Sequence, residues 1–290
     1  MTAAHDEVVC VSGRTFCLST ASGQIRPGPY GNGVFVEDTR ILSALILSVN
    51  GEEPRALGGY PLGQGAARFS AGAHVGASPD PALLIERQRS VTEVWQERIQ
   101  ITSHRVDPVM VQVGLQAEAD FAYIFDVKHG RTLPAASPRA DGSSLLFTNE
   151  GSAERVVIRP SSGAQLEGDR VSWKVDLPPR SQRRVWIDVA TTDVYGTVEP
   201  GRRFDGDGEV EAAATTDAIR IRCSDDAFAR LIERSLQDVA SLQLPDPQQP
   251  TDRFCAAGSP WYLTLFGRDA LWTAWMTLPF DLELAAGTLR

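Results

Sequence analysis

The sequence predicts a mainly β fold that gives way to helices near its end. Three features predict it: apolar residues alternate with period two through much of the first two-thirds, Gly, Pro and Asp punctuate those runs, and helical spacing begins only after Cys223. Leu45, Leu47 and Val49 place an apolar row on one strand face and run into Asn50-Gly51, which tolerates the positive φ angles of a type I′ turn. Val109, Val111, Val113, Leu115 and Ala117 alternate with Met110, Gln112, Gly114, Gln116 and Glu118 in a second strand. Val171, Trp173, Val175 and Leu177 repeat the device, as do Val185, Ile187 and Val189, and Gly168-Asp169 makes a turn between 164–167 and 170–177. No helical period intervenes, so a β-sandwich is expected rather than an α/β fold.

The texture changes near residue 200. Glu199-Pro200-Gly201 through Asp205-Gly206-Asp207-Gly208 is polar and turn-rich and marks the edge of the β region, with a last strand expected at Ile219, Ile221 and Cys223. Ser224 or Asp225 is placed to cap a helix whose apolar positions are Phe228, Leu231, Ile232, Val239 and Leu242, and which stops before Pro245. A loop over Leu244–Thr251 leads into an aromatic stretch holding Trp261, Tyr262, Phe266, Trp272, Trp275 and Phe280. Asp269 is expected to cap a second helix, with Leu271, Trp275 and Leu278 on one stripe, Trp272 and Met276 beside it, and Pro279 ending it. A third helix starts at Asp281, where Leu282, Ala285, Ala286 and Leu289 follow helical spacing, and the chain stops in mid-pattern at Arg290.

The chain has 290 residues, 42% hydrophobic, with a net charge of -9. This argues against nucleic acid and anionic membranes as partners, since both need clustered positive charge. Lysine occurs only at Lys128 and Lys174, and the arginines interleave with acids, so no basic face is expected. Met1–Asp6 carries no cationic flank, and nothing approaches the ~20 apolar residues of a membrane span. Cys10, Cys17, Cys223 and Cys255 form no C-x-x-C pair, which points to a reducing cytoplasm with the thiols packed as small apolar residues.

Most local motifs fail on chemistry. Asp205-x-Asp207-x-Glu209 lacks the turn glycine and closing glutamate of a calcium loop and reads as a solvated acidic turn. Gly28–Gly33 and Gly58–Gly63 lack the Lys-Ser/Thr of a phosphate cradle and read as loops. The four histidines are isolated from one another and from cysteine, so no metal site and no cofactor is expected. The segment from Gly258 to Trp272 stands apart. Aromatic rings beside Arg268-Asp269 suit a sugar, whose apolar face stacks on a ring while a guanidinium and a carboxylate bond its hydroxyls. A helix-start ion pair and core tryptophans would look the same from sequence.

That segment, Gly258-Ser259-Pro260-Trp261-Tyr262-Leu263-Thr264-Leu265-Phe266-Gly267-Arg268-Asp269-Ala270-Leu271, resembles the opening of the catalytic domain in bacterial amylo-alpha-1,6-glucosidases, the glycogen-debranching type of glycoside hydrolase. Gly33-Val34-Phe35-Val36-Glu37-Asp38-Thr39-Arg40-Ile41-Leu42-Ser43, with Asn50-Gly51 after it, resembles that family's N-terminal signature. A third likeness lies in Trp95-x-Glu97-Arg98-Ile99, Asp107-Pro108-Val109 and Ala119-Asp120-Phe121-Ala122-x-Ile124-Phe125-Asp126-Val127.

The resemblance implies a supersandwich-like N-terminal β-sandwich domain over residues 1–210 and the beginning of an (α/α)6 glycosidase barrel over 211–290. It implies hydrolysis of α-glucosidic bonds of glycogen or oligosaccharides with inversion, an α-glucan or oligosaccharide as partner, and Arg268 and Asp269 as holders of the terminal glucose. Trp261 and Tyr262 would wall that subsite, and Phe266 stands where related glucoamylase-type barrels carry Trp. Twelve helices need roughly 200 residues, and only 80 run from Glu211 to Arg290. The acid and base are therefore expected outside this chain, no catalytic residue is assigned to it, and the chain alone is expected to be inactive, with a missing barrel segment or self-association covering its helices. A non-catalytic carbohydrate-binding or assembly β-sandwich is the alternative reading.

Overall fold

The computed structural model describes residues 7–26, 31–63, 65–76, 80–91, 95–131, 133–193, 196–198 and 223–290. It is 49% strand and 16% helix, all strand pairs are antiparallel among the described residues, and the longer helices come late, as the alternation pattern leads one to expect.

The chain opens with a four-stranded meander of β1 (Glu7–Ser12), β2 (Thr15–Thr20), β3 (Gly33–Val36) and β4 (Thr39–Leu42). After β5 (Ala44–Val49) come β6 (Arg55–Gly63), β7 (Ala66–Ala73), β8 (Leu83–Val91), β9 (Trp95–Ser103) and β10 (Val109–Glu118), then a short helix, α1 (Ile124–Lys128). The β region continues through β11 (Arg139–Asp141), β12 (Ser144–Thr148), β13 (Arg155–Pro160), β14 (Gln165–Glu167), β15 (Arg170–Leu177), β16 (Gln182–Asp193) and β17 (Gly196–Val198). Then follow α2 (Asp226–Ser241), the hairpin β18 (Gln243–Pro245) and β19 (Arg253–Cys255), α3 (Gly267–Thr277) and α4 (Leu282–Leu289).

Two sheets share the main core. One has the order β14-β15-β10-β5; the other is nine-stranded, β11-β12-β13-β16-β9-β8-β7-β6 with β17 on β16. Val111, Val113 and Leu115 of the first meet Ile85, Ile99, Ile158 and Ile187 of the second in one buried cluster. Burying each such aliphatic side chain contributes roughly 1.5–3 kcal/mol, which is why the period-two rows fix which face turns inward. Asn50 and Gly51 have φ of 53° and 84° and sit between Val49 and Glu52, whose backbones bond each other at 2.8 and 3.1 Å. The I′ turn is where expected, but it passes the chain from one sheet to the other, since β5 and β6 belong to different sheets.

Some expectations are corrected. Gly58–Gly63 lies in edge strand β6, not in a loop, with register shifts at Ala56/Gly58 and Pro61/Gly63 that accommodate its glycines and proline. Gly59 is needed there because a Cβ would meet the Phe69 ring at 2.4 Å and the Ala21 carbonyl at 2.5 Å. Gly33 opens β3, while 28–30, the acidic turn at 205–209, the strand expected around Ile219 and the 210/211 boundary lie outside the described residues. The arginines on the outer side of the nine-stranded sheet, Arg68, Arg98, Arg155, Arg159 and Arg184, share that side with Glu86 and Asp188, so they interleave with acids as expected. Asp225 and Asp281 cap α2 and α4, Asp225 accepting from the Ala227 and Phe228 amides and Asp281 from the Leu284 amide.

Two charge clusters lie inside the β region. Glu97 accepts from Arg87 Nε and, at 3.0 Å, from Arg89 Nε, and all three side chains are buried. Arg89 also donates to the Gly23 carbonyl at 2.7 Å, and its guanidinium lies 4.9 Å from the Phe69 ring and 5.2 Å from Trp95. Arg87 reaches Gln24 Oε1 at 2.8 Å, so the cluster ties the β2–β3 connection to β8 and β9. Arg40 and Asp120 form the second pair; Asp120 also accepts the Ala122 amide at 3.3 Å, and Arg40 donates to the Asn32 carbonyl at 3.2 Å.

Cys10 faces Cys17 across β1 and β2, and both are buried, as is Cys255; Cys223 is exposed, contrary to the expected packing of all four. Burial pushes the Cys10 thiol from 9.0 up to about 12 and Cys255 up to about 11, and raises Cys17 as well. A thiol-exchange reagent at pH 8 should therefore titrate one fast thiol in the native chain and four after denaturation. Because unfolded thiols ionise near pH 9 and the buried ones do not, stability is fully present below pH 9 and lost as pH rises toward 12. Alkaline melts of a Cys10→Ala/Cys17→Ala variant should lose part of that slope.

Candidate functional site

The region singled out by sequence is built on a hairpin and two helices. α3 turns Ala270, Ala274 and Thr277 inward, α4 turns Leu284 and Ala285 inward, and the two pack on each other and on β19. Close approach depends on Gly287, where a Cβ would meet the Arg253 backbone N and O at 2.7 Å. The small residues face the hairpin, so the Leu271, Trp272, Trp275, Met276 stripe faces outward; Trp275 is 62% exposed.

The cap of α3 differs from expectation. Phe266 is the N-cap and makes no side-chain cap bond, and Asp269 sits three residues further, in the first turn. From there its carboxylate favours the helix N-terminus through the dipole but cannot take the capping geometry that Asp225 and Asp281 have.

Trp261 and its neighbours dock on the first meander. A second core gathers Phe16, Phe35, Ala122, Ile124 and Val127, with Trp261 and Leu263 packed against it. Phe16 and Phe35 stack with centroids 4.5 Å apart. A Cβ on Gly31 would lie 2.7 Å from the Trp261 ring, so the glycine makes room for it. Tyr262 exchanges backbone hydrogen bonds with Gly258, both at 3.0 Å, and meets Phe266 edge-on at 5.6 Å. Lys128 closes the group: its Nζ donates to Tyr262 Oη at 3.4 Å and lies 4.8 Å from that ring and 5.8 Å from Trp261. Sequence reasoning passed over Lys128, although it was one of only two lysines.

Tyr262 and Phe266 are thus in contact, and Trp261 is next to them against the core. Arg268 is exposed and, with Leu271, Trp272 and Trp275, lines an open depression of about 450 Å³. Asp269 is half-buried, and no ion pair joins it to Arg268 among the described residues. The depression offers apolar rings and a guanidinium on open surface, which suits the apolar face and hydroxyls of a polyol, while Asp269, Trp261, Tyr262 and Phe266 lie outside its lining.

Nearby carboxylates are occupied. Asp252 accepts two bonds from Arg290, at 2.6 and 2.8 Å, which hold its carboxyl below the ordinary carboxylate value. Asp281 caps α4 and accepts from Gln243 at 3.3 Å, and Glu283 lies exposed in the first turn. Among the described residues no three His, Cys, Asp or Glu side chains converge as a metal site would require, and no helix is long and apolar enough to cross a membrane.

A family model for the N-terminal domain of (some) glycogen debranching enzymes matches residues 11–188. No curated protein matches the chain. Among solved structures, the Slr1438 protein of Synechocystis sp. aligns over 64% of this chain and 95% of its own, with 8% identity and a TM-score of 0.43. A putative kojibiose phosphorylase from human microbiome aligns over 80% of this chain and 33% of its own, with 9% identity and a TM-score of 0.41, so the match spans about a third of that protein. A galactose mutarotase-like protein from Clostridium acetobutylicum aligns over 66% of this chain and 100% of its own, with 8% identity and a TM-score of 0.37.

Proposed function

The chain belongs to the family defined by the N-terminal domain of glycogen debranching enzymes, and from that premise we propose that it is the N-terminal portion of an amylo-alpha-1,6-glucosidase-like glycoside hydrolase. In this reading residues 1–210 are the β-sandwich domain and 211–290 begin an (α/α)6 barrel, in the cytoplasm, with an α-glucan or oligosaccharide as substrate. The observation that supports it best is a convergence. Phe35, Ala122 and Val127 come from two segments that resemble the family's N-terminal motifs, and together they form the small core against which Trp261 of the barrel-like segment packs.

Arg268 and Asp269 then hold hydroxyls of the terminal glucose, with Trp261, Tyr262 and Phe266 as walls. Inverting hydrolysis needs an acid on the leaving oxygen and a carboxylate on the attacking water, ~6.5–9.5 Å apart. Neither role is assigned within this chain, since Asp252 is engaged by Arg290 and Asp281 by the Leu284 amide.

The test is glucose release from a branched limit dextrin. A chain continued past Arg290 through further helices should be active, and residues 1–290 alone should release none. In the active chain Asp269→Asn should lower kcat/KM roughly 10- to 100-fold, the worth of a charge-assisted hydrogen bond. Turnover by residues 1–290, or an Asp269→Asn variant at full activity, would defeat the proposal. The alternative, a non-catalytic carbohydrate-binding or assembly β-sandwich, predicts saturable maltooligosaccharide binding that ignores substitutions from Trp261 to Asp269. The outward stripe of α3 also favours self-association of the isolated chain.

A further inference from the structure

The outer side of the β14-β15-β10-β5 sheet is hollow at its centre, and one glycine makes it so. Val113, Leu115 and Val171 turn into the core, so Gly114 of β10 faces outward, with Ser48 of β5 and Ser172 of β15 as its cross-strand partners. A Cβ at Gly114 would come within 2.9 Å of Ser48 Oγ. The recess holds about 260 Å³ and is lined by Ser48, Asn50, Gly51, Gln112, Gly114 and Arg170. At ~30 Å³ each, about eight waters would fill it, so a five-atom oxyanion fits with space left for a substituent.

The side chains around the recess present donors. Asn50 Oδ1 accepts the Gln112 main-chain amide at 2.9 Å, which leaves the NH2 group as its free end. The Ser48 hydroxyl is held only by a long 3.5 Å bond to the Gly114 carbonyl. The Arg170 guanidinium and the Gln112 carboxamide have no partner among the described residues. Arg170 Cδ stands 4.0 Å from where a Gly114 Cβ would be, so this side chain leans over the floor. Ser172 continues the floor; it is 8% exposed, and its hydroxyl also has no partner among the described residues. Two acids lie beside Arg170, and neither lines the recess. Asp169 is held by Gln116 at 2.9 Å, and Glu167 sits opposite Arg170 on the edge strand β14.

No aromatic ring lines the recess, so a sugar has nothing to stack on, and an unpaired guanidinium among neutral donors calls for an anion. The donors come from β5 and its turn, from β10 and from β15, and so approach from three sides. A tetrahedral oxyanion offers an oxygen to each, whereas a carboxylate offers two in one plane. We propose that this recess binds a phosphoryl group, with Arg170 as its charged partner and Ser48, Asn50 and Gln112 as neutral donors. The site uses no residue assigned to the sugar and nothing of the barrel-like segment, so it stands or falls apart from the function proposed above.

The test is calorimetric titration of the 290-residue chain, at constant ionic strength, with inorganic phosphate and with glycerol 3-phosphate, glycerol and chloride serving as blanks. Saturable binding of either phosphate supports the site, and the tighter of the two identifies the source as the free ion or an ester. Arg170→Gln should weaken binding about tenfold, the loss of a charge-assisted contact. Gly114→Ala, which fills the floor, should weaken it at least as much. Arg183→Gln removes the same charge from an exposed position on β16 and should leave binding within about twofold, because distant charges are screened. Arg170 is exposed, and the Gly114→Ala methyl displaces only a rotatable hydroxyl, so unchanged thermal melts are expected for both. No saturation by about 10 mM of either phosphate overturns the site. So does binding indifferent to Arg170→Gln, or an equal loss in Arg183→Gln.

Discussion

Glu97→Leu is expected to destabilise the β domain by about 3–5 kcal/mol, a large part of a typical stability of ~5–15 kcal/mol. Among the described residues Glu97 is the only carboxylate paired with Arg87 and Arg89, and both guanidiniums are buried, so its loss leaves two charges without a counter-ion. Arg89 has partial alternatives in the Gly23 carbonyl and the Phe69 and Trp95 rings, and Arg87 has Gln24. These neutral contacts soften the loss without replacing a carboxylate. Urea melts measure the effect. A shift under 1 kcal/mol would mean that water reaches the two arginines. Glu97→Gln, which keeps shape and part of the hydrogen bonding, should fall between the two.

Asp120→Leu should cost a similar 3–5 kcal/mol by stranding Arg40, which is almost fully buried. The informative measurement is the double variant. Arg40→Met with Asp120→Leu removes both charges and should recover most of the stability, because desolvation then no longer has to be offset by the ion pair. Recovery in the double variant separates a stranded charge from simple overpacking, which a second apolar substitution would not relieve. The Ala122 amide, which donates to Asp120 at 3.3 Å, should lose hydrogen-exchange protection in Asp120→Leu. Ala122 belongs to the core that receives Trp261, so Trp261 fluorescence should change in the same variant.

Much of the local structure was legible. The alternation at Leu45–Val49, Val109–Ala117 and Val171–Leu177 became β5, β10 and β15, and the turns at Asn50-Gly51 and Gly168-Asp169 fell where their φ preferences put them. Asp225 and Asp281 cap their helices because the signal for a cap is local, a short polar side chain ahead of an apolar helical period. Asp269 misled for the same reason: its residue type suits a cap, but Phe266 holds the N-cap position, three residues earlier. Gly58–Gly63 misled because glycine signals a loop locally, while here the missing side chain makes room for Phe69. The outward stripe of α3 was read correctly as a stripe, but spacing gives a face and not what the face meets.

The sequence alone determined which residues form strands and helices, which faces are apolar, and the motif segments within residues 11–188 that mark the family. Periodicity and turn chemistry are properties of a few consecutive residues, and they survive without the rest of the chain. The tertiary structure decided which strands share a sheet, that Arg40 finds Asp120 and that Arg87 and Arg89 find Glu97. It also decided that Lys128 and Trp261 belong to one cluster. Those partners are far apart in sequence, and a hydrophobic pattern specifies that a residue is buried or exposed without specifying its neighbour. Only the register of a completed sheet does that.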